Sequence, residues 1–424
     1  MMTHTGDSNT ARAARAGRGR AAWRAVALAS LLGLGALPAH QAAYADSGSL
    51  HDVLLIGNAV SGTVSFIDGR NFQSLGSFNI VPDLQERLST MNPIQWANYL
   101  LATADEATVD PAVGGTRYVD DMTISPDGTT IYVSRANLDD VAAFNLATRQ
   151  LLWRAPVDGI HADHMALSPD GTRVVVSATT SAEAQVYNAA TGALVGTFPT
   201  GTYPHQNTFT ADGKYIYNES IGVTLLPKAL NALKGSLQLE KVDASTLKVV
   251  KVWTFPYGLR PFVVAPDGTT MYADLSYLNG FIKYDLNTST TLATVNQPFS
   301  AAAASENPDS YPQNSAHHGI ALSGDGTRLC DVGTIDDYAK IVSTSSLGTL
   351  ATVNYQAGSI PYWAATSADG NYCFVPLSAG DSVSVISYAT GQQVASVPVG
   401  QFPQRGRLAQ VTAAAIAGLS SSAG

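Results

Sequence analysis

Met122-Thr123-Ile124-Ser125-Pro126-Asp127-Gly128-Thr129-Thr130-Ile131-Tyr132-Val133-Ser134 is two short apolar strands joined by an Asp-Gly turn. An Asp-Gly pair between β-rich runs is a hairpin signal. The turn recurs as Pro169-Asp170-Gly171, Ala211-Asp212-Gly213, Pro266-Asp267-Gly268, Gly324-Asp325-Gly326 and Ala368-Asp369-Gly370. The Asp-to-Asp spacings are 43, 42, 55, 58 and 44 residues. A period of about 40–45 residues with four strands per unit marks an all-β propeller.

Each unit reads strand A, Asp-Gly turn, strand B, loop, strand C, turn, strand D. Residues 52–80 supply strands B, C and D with no strand A before them, and the segment from Gly400 supplies the start of a blade without its rest. The two fragments complete one another. Six Asp-Gly blades and one composite make a seven-bladed propeller, closed by a C-terminal strand A that joins N-terminal strands B to D. Such closure hides an edge that would otherwise pair with another chain. The propeller is expected over residues 46–410, with 411–424 as a flexible tail of small residues.

Residues 1–45 read as a Sec-type signal peptide: five Arg, an apolar run from Ala25 to Ala39, and Ala43-Tyr44-Ala45 as the cleavage site. The expected location is therefore secreted or periplasmic. Removing the segment's five Arg and one Asp leaves a formal charge of −13. That balance disfavours nucleic acid or anionic membrane as partner. No later run is long and apolar enough to span a bilayer, and a monomer is expected. The two cysteines, Cys330 and Cys373, fall on strand B of consecutive repeats and can face one inter-blade interface from opposite walls. A disulfide and a pair of buried thiols both fit.

The chain resembles the YVTN-type propeller repeat family. The resemblance rests on Val133-Ser134-Arg135-Ala136-Asn137 through Thr148, and on Val375 through Gly391 with its Ala389-Thr390-Gly391 turn. It implies a fold that serves lactonases, lyases, surface proteins and binding platforms alike.

Alignment on the turns brings one register, just before strand A, to a common axis. It holds Asp120, Asp163, His205, Arg260, His318, Tyr362 and Gln404, all polar. His161 and His164 flank Asp163, and His317 precedes His318. Five of the six histidines after residue 45 lie in these segments. Three insertions, 82–114, 223–234 and 297–316, are expected to overhang the same face, where long loops serve binding.

From this ring the expected catalytic set is His205, His318, Tyr362 and Arg260. The expected substrate-binding set is Arg260, His161, His317, Gln404 and Asn207. Asp120, Asp163, His164, His205 and His318 are candidate ligands for one divalent metal ion (Ca, Mn or Zn), and no organic cofactor is indicated. A guanidinium beside a His base and a Tyr acid suits proton abstraction next to a neutralised carboxylate. The preferred expectation is a polysaccharide lyase acting by β-elimination on an acidic, uronate-containing glycan. The alternatives are a non-catalytic propeller binding glycan or protein at the cell surface or periplasm, and a lactonase-like hydrolase; the expected partner is an acidic glycan or another small anionic ligand. Water alone in a polar channel is the bland alternative to all three.

Overall fold

The computed structural model describes residues 50–109 and 116–420, with the side chains of 105–109 excepted. The expected signal segment lies outside these residues. Seven four-stranded antiparallel sheets form the seven blades. In blade 1 the C-terminal strand Pro403–Val411 pairs with His51–Asn58, which continues through Thr63–Asp68 to Ser74–Asn79. One blade is thus built from both ends of the chain, and the ring is closed.

The Asp-Gly turns explain why the repeat is visible. Gly128, Gly171, Gly213, Gly268, Gly326 and Gly370 all have φ between +68° and +75°. A side chain there would be strained, so glycine is selected six times. The preceding aspartate folds back onto its own turn. Asp127 Oδ1, for example, accepts from Ser125 Oγ at 2.5 Å and from Thr129 Oγ1 at 2.8 Å. These aspartates are turn formers.

Apolar residues of strands A, B and C fill the gaps between blades. Val53, Leu55, Phe66, Met122, Val133 and Phe144 pack in one such cluster. Cys330 and Cys373 form a disulfide that ties strand B of blade 6 to strand B of blade 7.

Residues 411–420 do not fray as expected. Val411 pairs with His51 and is fully buried. Thr412 caps the short helix Ala413–Ala417 by accepting from the Ala415 amide, and Ser420 exchanges both backbone hydrogen bonds with Ser77. The small side chains that suggest a loose tail are what let it pack closely: Ala415 is buried in the blade 1 cluster.

The insertion after blade 1 carries two helices, Leu84–Ser89 and Pro93–Val109. A buried ion network anchors the first. Arg135 bonds both Asp140 (2.6 Å) and Asp83 (2.6 Å), Arg87 bonds Asp140 (3.0 Å), and Arg154 bonds Asp83 (2.6 Å). Among the described residues no helix is long and apolar enough to cross a membrane.

Candidate functional site

The innermost strands are bulged where the ring residues sit. In blade 3, Ala162 pairs with Ala178 and Met165 with Val176, so Asp163 and His164 together oppose Ser177. Blade 4 repeats this with His205 and Gln206 against Glu219. Blade 5 has Arg260 and Pro261 against Asp274, and blade 6 has His318 and Gly319 against Val332. The closing strand is irregular at Gln404, between Pro403 and Arg405. A bulge breaks the period-2 alternation and re-aims side chains. It also frees backbone amides, which side chains of the preceding blade take up. Met165 N donates to Asp121 Oδ2 (3.2 Å), Phe262 N to Gln206 Oε1 (3.2 Å) and Gly319 N to Asp274 Oδ2 (2.9 Å).

The result is a cavity of about 370 Å³ on the axis. Asp120, Asp163, His205, Arg260, Tyr362 and Gln404 line its floor, with His161 and Arg405 beside them. Leu101, Thr224, Leu225 and Gln313, from all three insertions, line the same cavity. His164 and His318 lie against the floor without lining it. His164 packs on His205 with ring centroids 4.1 Å apart, and His318 stacks on Tyr362 at 4.0 Å. His205 and His318 are 5.6 Å apart, edge to face.

Two expected substrate-binding residues are elsewhere. His317 turns into blade 6, where Nδ1 bonds Asp331 and Nε2 bonds the Tyr338 hydroxyl, each at 2.9 Å. Asn207 is buried in the blade 3–4 seam, donating to His164 O (3.0 Å) and Ser177 Oγ (2.8 Å). Both are structural because the bulge places them on the far side of the strand from the axis.

Electrostatically, three neutral imidazoles lie in or directly against the floor. Burial, and then the charge of Arg405, holds His164, His205 and His318 well below the ordinary histidine value. Burial and the neighbouring charge of Asp120 push Asp163 up to about 7. Burial would raise Asp120 too, but Arg405 and the 3.0 Å bond to His161 hold it below the usual carboxylate range. Two adjacent carboxylates are thereby split into one charged and one proton-bearing group, the arrangement that separates base and acid roles. Burial likewise drives Glu219 well above the ordinary range, with its Oε1 2.8 Å from His205 Nδ1.

Arg260 is fully buried, and among the described residues its one hydrogen bond runs from Nε to Ser276 Oγ at 3.2 Å. Among the described residues neither Nη atom has a hydrogen-bond partner. His318 Nε2 likewise has no hydrogen-bond partner among the described residues, whereas Asp120 Oδ1 faces Arg405 Nη2 at 3.6 Å. Buried polar atoms left unpaired await a ligand, water or ion.

Some of these residues could hold a cation. Asp163 Oδ1 lies 3.8 Å from His164 Nε2 and 4.0 Å from His205 Nε2, and Asp120 Oδ1 lies 3.9 Å from His164 Nε2. The far nitrogen of His205 faces Glu219, and that of His164 faces Asp121 Oδ2 at 3.6 Å, as second-layer carboxylates commonly orient imidazole ligands.

Arg405, Glu219 and Asp121 were not among the residues expected from the sequence. Glu219 had a readable signal. It stands in strand B where blades 2 and 3 carry Ser134 and Ser177, and a carboxylate at an inward strand position asks for a partner.

Seven four-stranded blades thus surround a polar, buried axial cavity. Residues 89–200 match the family described as Lactonase, 7-bladed beta-propeller. No curated protein matches the chain. Among solved structures the chain is similar to Kuenenia stuttgartiensis hydrazine synthase, with a TM-score of 0.53 and 16% identity, covering 68% of this chain and 88% of that one. At that identity the likeness is one of fold.

Proposed function

We propose that the axial cavity opens a small lactone by hydrolysis. The observation that carries this reading is Arg260: a buried guanidinium whose two Nη groups have no hydrogen-bond partner among the described residues, lining one cavity with His205 and Asp163. In this reading His205 donates Nδ1–H to Glu219, and Nε2 takes a proton from water. The water oxygen attacks the lactone carbonyl carbon, and the resulting oxyanion faces Arg260. The ring C–O bond breaks as Asp163 gives its proton to the leaving alkoxide. The proton on His205 returns to Asp163, 4.0 Å away. The product is a hydroxy acid whose carboxylate a two-pronged guanidinium holds well. The match of residues 89–200 to a lactonase family supports the reaction class.

A second version is favoured by the convergence of Asp163, His164 and His205. Two imidazoles and one carboxylate suit Zn or Mn better than Ca. A cation held there would lower the pKa of a bound water, and Arg260 would keep its role. The uronate-lyase reading uses the same ring. A cavity near the lower end of small-molecule sites suits a small lactone better than a polymer. We also place the protein outside the cytoplasm, acting as a monomer on a small molecule. The disulfide supports an oxidising compartment.

The test is acid release from a panel of γ- and δ-lactones, followed at constant pH. The protein should hydrolyse at least one, and His205→Gln should lower kcat/KM by about 10²–10⁴-fold. Loss of the rate on chelation, restored by Zn or Mn, selects the cation-assisted version. Release of unsaturated uronate with no lactone turnover would instead select the lyase.

A further inference from the structure

Above the polar floor the cavity changes character. Ile221 and Ile160 line it, followed by Leu101 and Leu225 from two different insertions. Their exposure is graded: Ile221 is 5% exposed and Ile160 intermediate, whereas Leu101 is 62% and Leu225 63% exposed. These residues trace an apolar wall from the floor to the mouth. The ionisable lining groups are Arg117, Asp120, His161, Asp163, Tyr203, His205, Arg260, Tyr362 and Arg405, and eight of these nine flank or belong to the axial register. Two leucines of one polar-floored cavity left largely in water are unfavourable unless something apolar covers them.

Size says how much. At roughly 30 Å³ per water-sized group, about 370 Å³ holds about twelve such groups. A five-membered lactone ring with its carbonyl oxygen fills about half of them, which leaves space for roughly six carbons.

We propose that the substrate is an amphiphilic lactone carrying an unbranched, medium-length alkyl chain. The ring sits on Arg260, His205 and Asp163, and the chain lies along Ile221, Ile160, Leu101 and Leu225. This rests on the lactone reading of the floor. The wall is a specificity device: it adds binding energy only for substrates that carry the chain. A polar sugar lactone would leave it wet.

The experiment is kcat/KM for γ-butyrolactone, γ-hexalactone, γ-octalactone, γ-decalactone and γ-dodecalactone, with wild type and the Leu101→Asn/Leu225→Asn double variant. Wild-type kcat/KM should rise by up to about fourfold per added methylene and level off near γ-decalactone. In the double variant the decalactone-to-butyrolactone ratio should collapse by at least tenfold. Lactone hydrolysis with a flat chain-length profile, or with the same profile in both proteins, overturns the proposal and leaves the lactone reading standing. If no lactone is hydrolysed, that reading fails, and calorimetric binding of decanoate and butyrate decides the wall separately. Tighter binding of decanoate, lost in the double variant, supports the apolar subsite; equal or absent binding of both acids overturns it.

Discussion

Replacing Arg260 with methionine should make the protein more stable and nearly inactive. The guanidinium is fully buried and, among the described residues, gives one neutral hydrogen bond, Nε to Ser276 Oγ at 3.2 Å. Losing that bond costs about 1 kcal/mol. Against this stands the burial of the charged group itself, which holds Arg260 below the ordinary arginine value, and exchanging such a buried charge for an apolar side chain of similar volume commonly gains about 1–4 kcal/mol. The carboxyls that could balance the charge are Asp163, pushed up to about 7, and Glu219, driven well above its ordinary range. Near neutral pH neither offers a full negative charge. Methionine keeps most of the stem packing, so the net change is a gain of up to about 3 kcal/mol. Function moves the other way, since losing one oxyanion donor costs about 10²–10³ in rate. The assay is chemical unfolding of both proteins with and without 4-hydroxybutyrate. Wild type should be stabilised by the hydroxy acid, and Arg260→Met should be intrinsically more stable and indifferent to it. A variant less stable than wild type, or one still protected by the hydroxy acid, would refute the claim that Arg260 is held in waiting for an anion.

Asp163 must bear its proton to act as acid, so with its value near 7 lactone kcat/KM should fall about tenfold per pH unit well above pH 7; a rate still climbing at pH 9 would remove it from that role. The Cys330–Cys373 bond closes a 43-residue separation, so the double Ala variant should lose about 2–4 kcal/mol in denaturant unfolding, and an unchanged midpoint would contradict this. Arg135→Met leaves buried Asp140 and partly buried Asp83 without their main cation. It should cost about 3–5 kcal/mol and open residues 84–89 to limited proteolysis; a wild-type digestion pattern would show that the ion network does not anchor that helix.

The parts of this molecule legible in its sequence are those fixed by local backbone chemistry. Six Asp-Gly turns need positive φ at glycine, so they survive as identical letters and count the blades. The axial register was legible for the same reason, because it lies at a set distance from each turn. What the turns could not reveal is the bulge. A two-against-one mismatch shifts side-chain direction without altering the letters, so His317 and Asn207 read as ring neighbours yet face away from the axis. The same mismatch brings Arg405 beside the ring. Glu219 stands out in the sequence against Ser134 and Ser177, but its partner does not, because it takes the bulge in the adjacent strand of the same blade to bring His205 Nδ1 onto it. The C-terminal segment misled through composition: small residues suggest looseness, but its last turn packs on blade 1 through close backbone approach.

The most direct measurement is a crystal structure with 4-hydroxydecanoate bound. Its carboxylate should lie within hydrogen-bond distance of both Nη atoms of Arg260, with the chain running past Ile221 toward Leu101 and Leu225. A carboxylate bound away from the axis, with Arg260 still unpaired, would contradict the assignment of this cavity as the reaction centre.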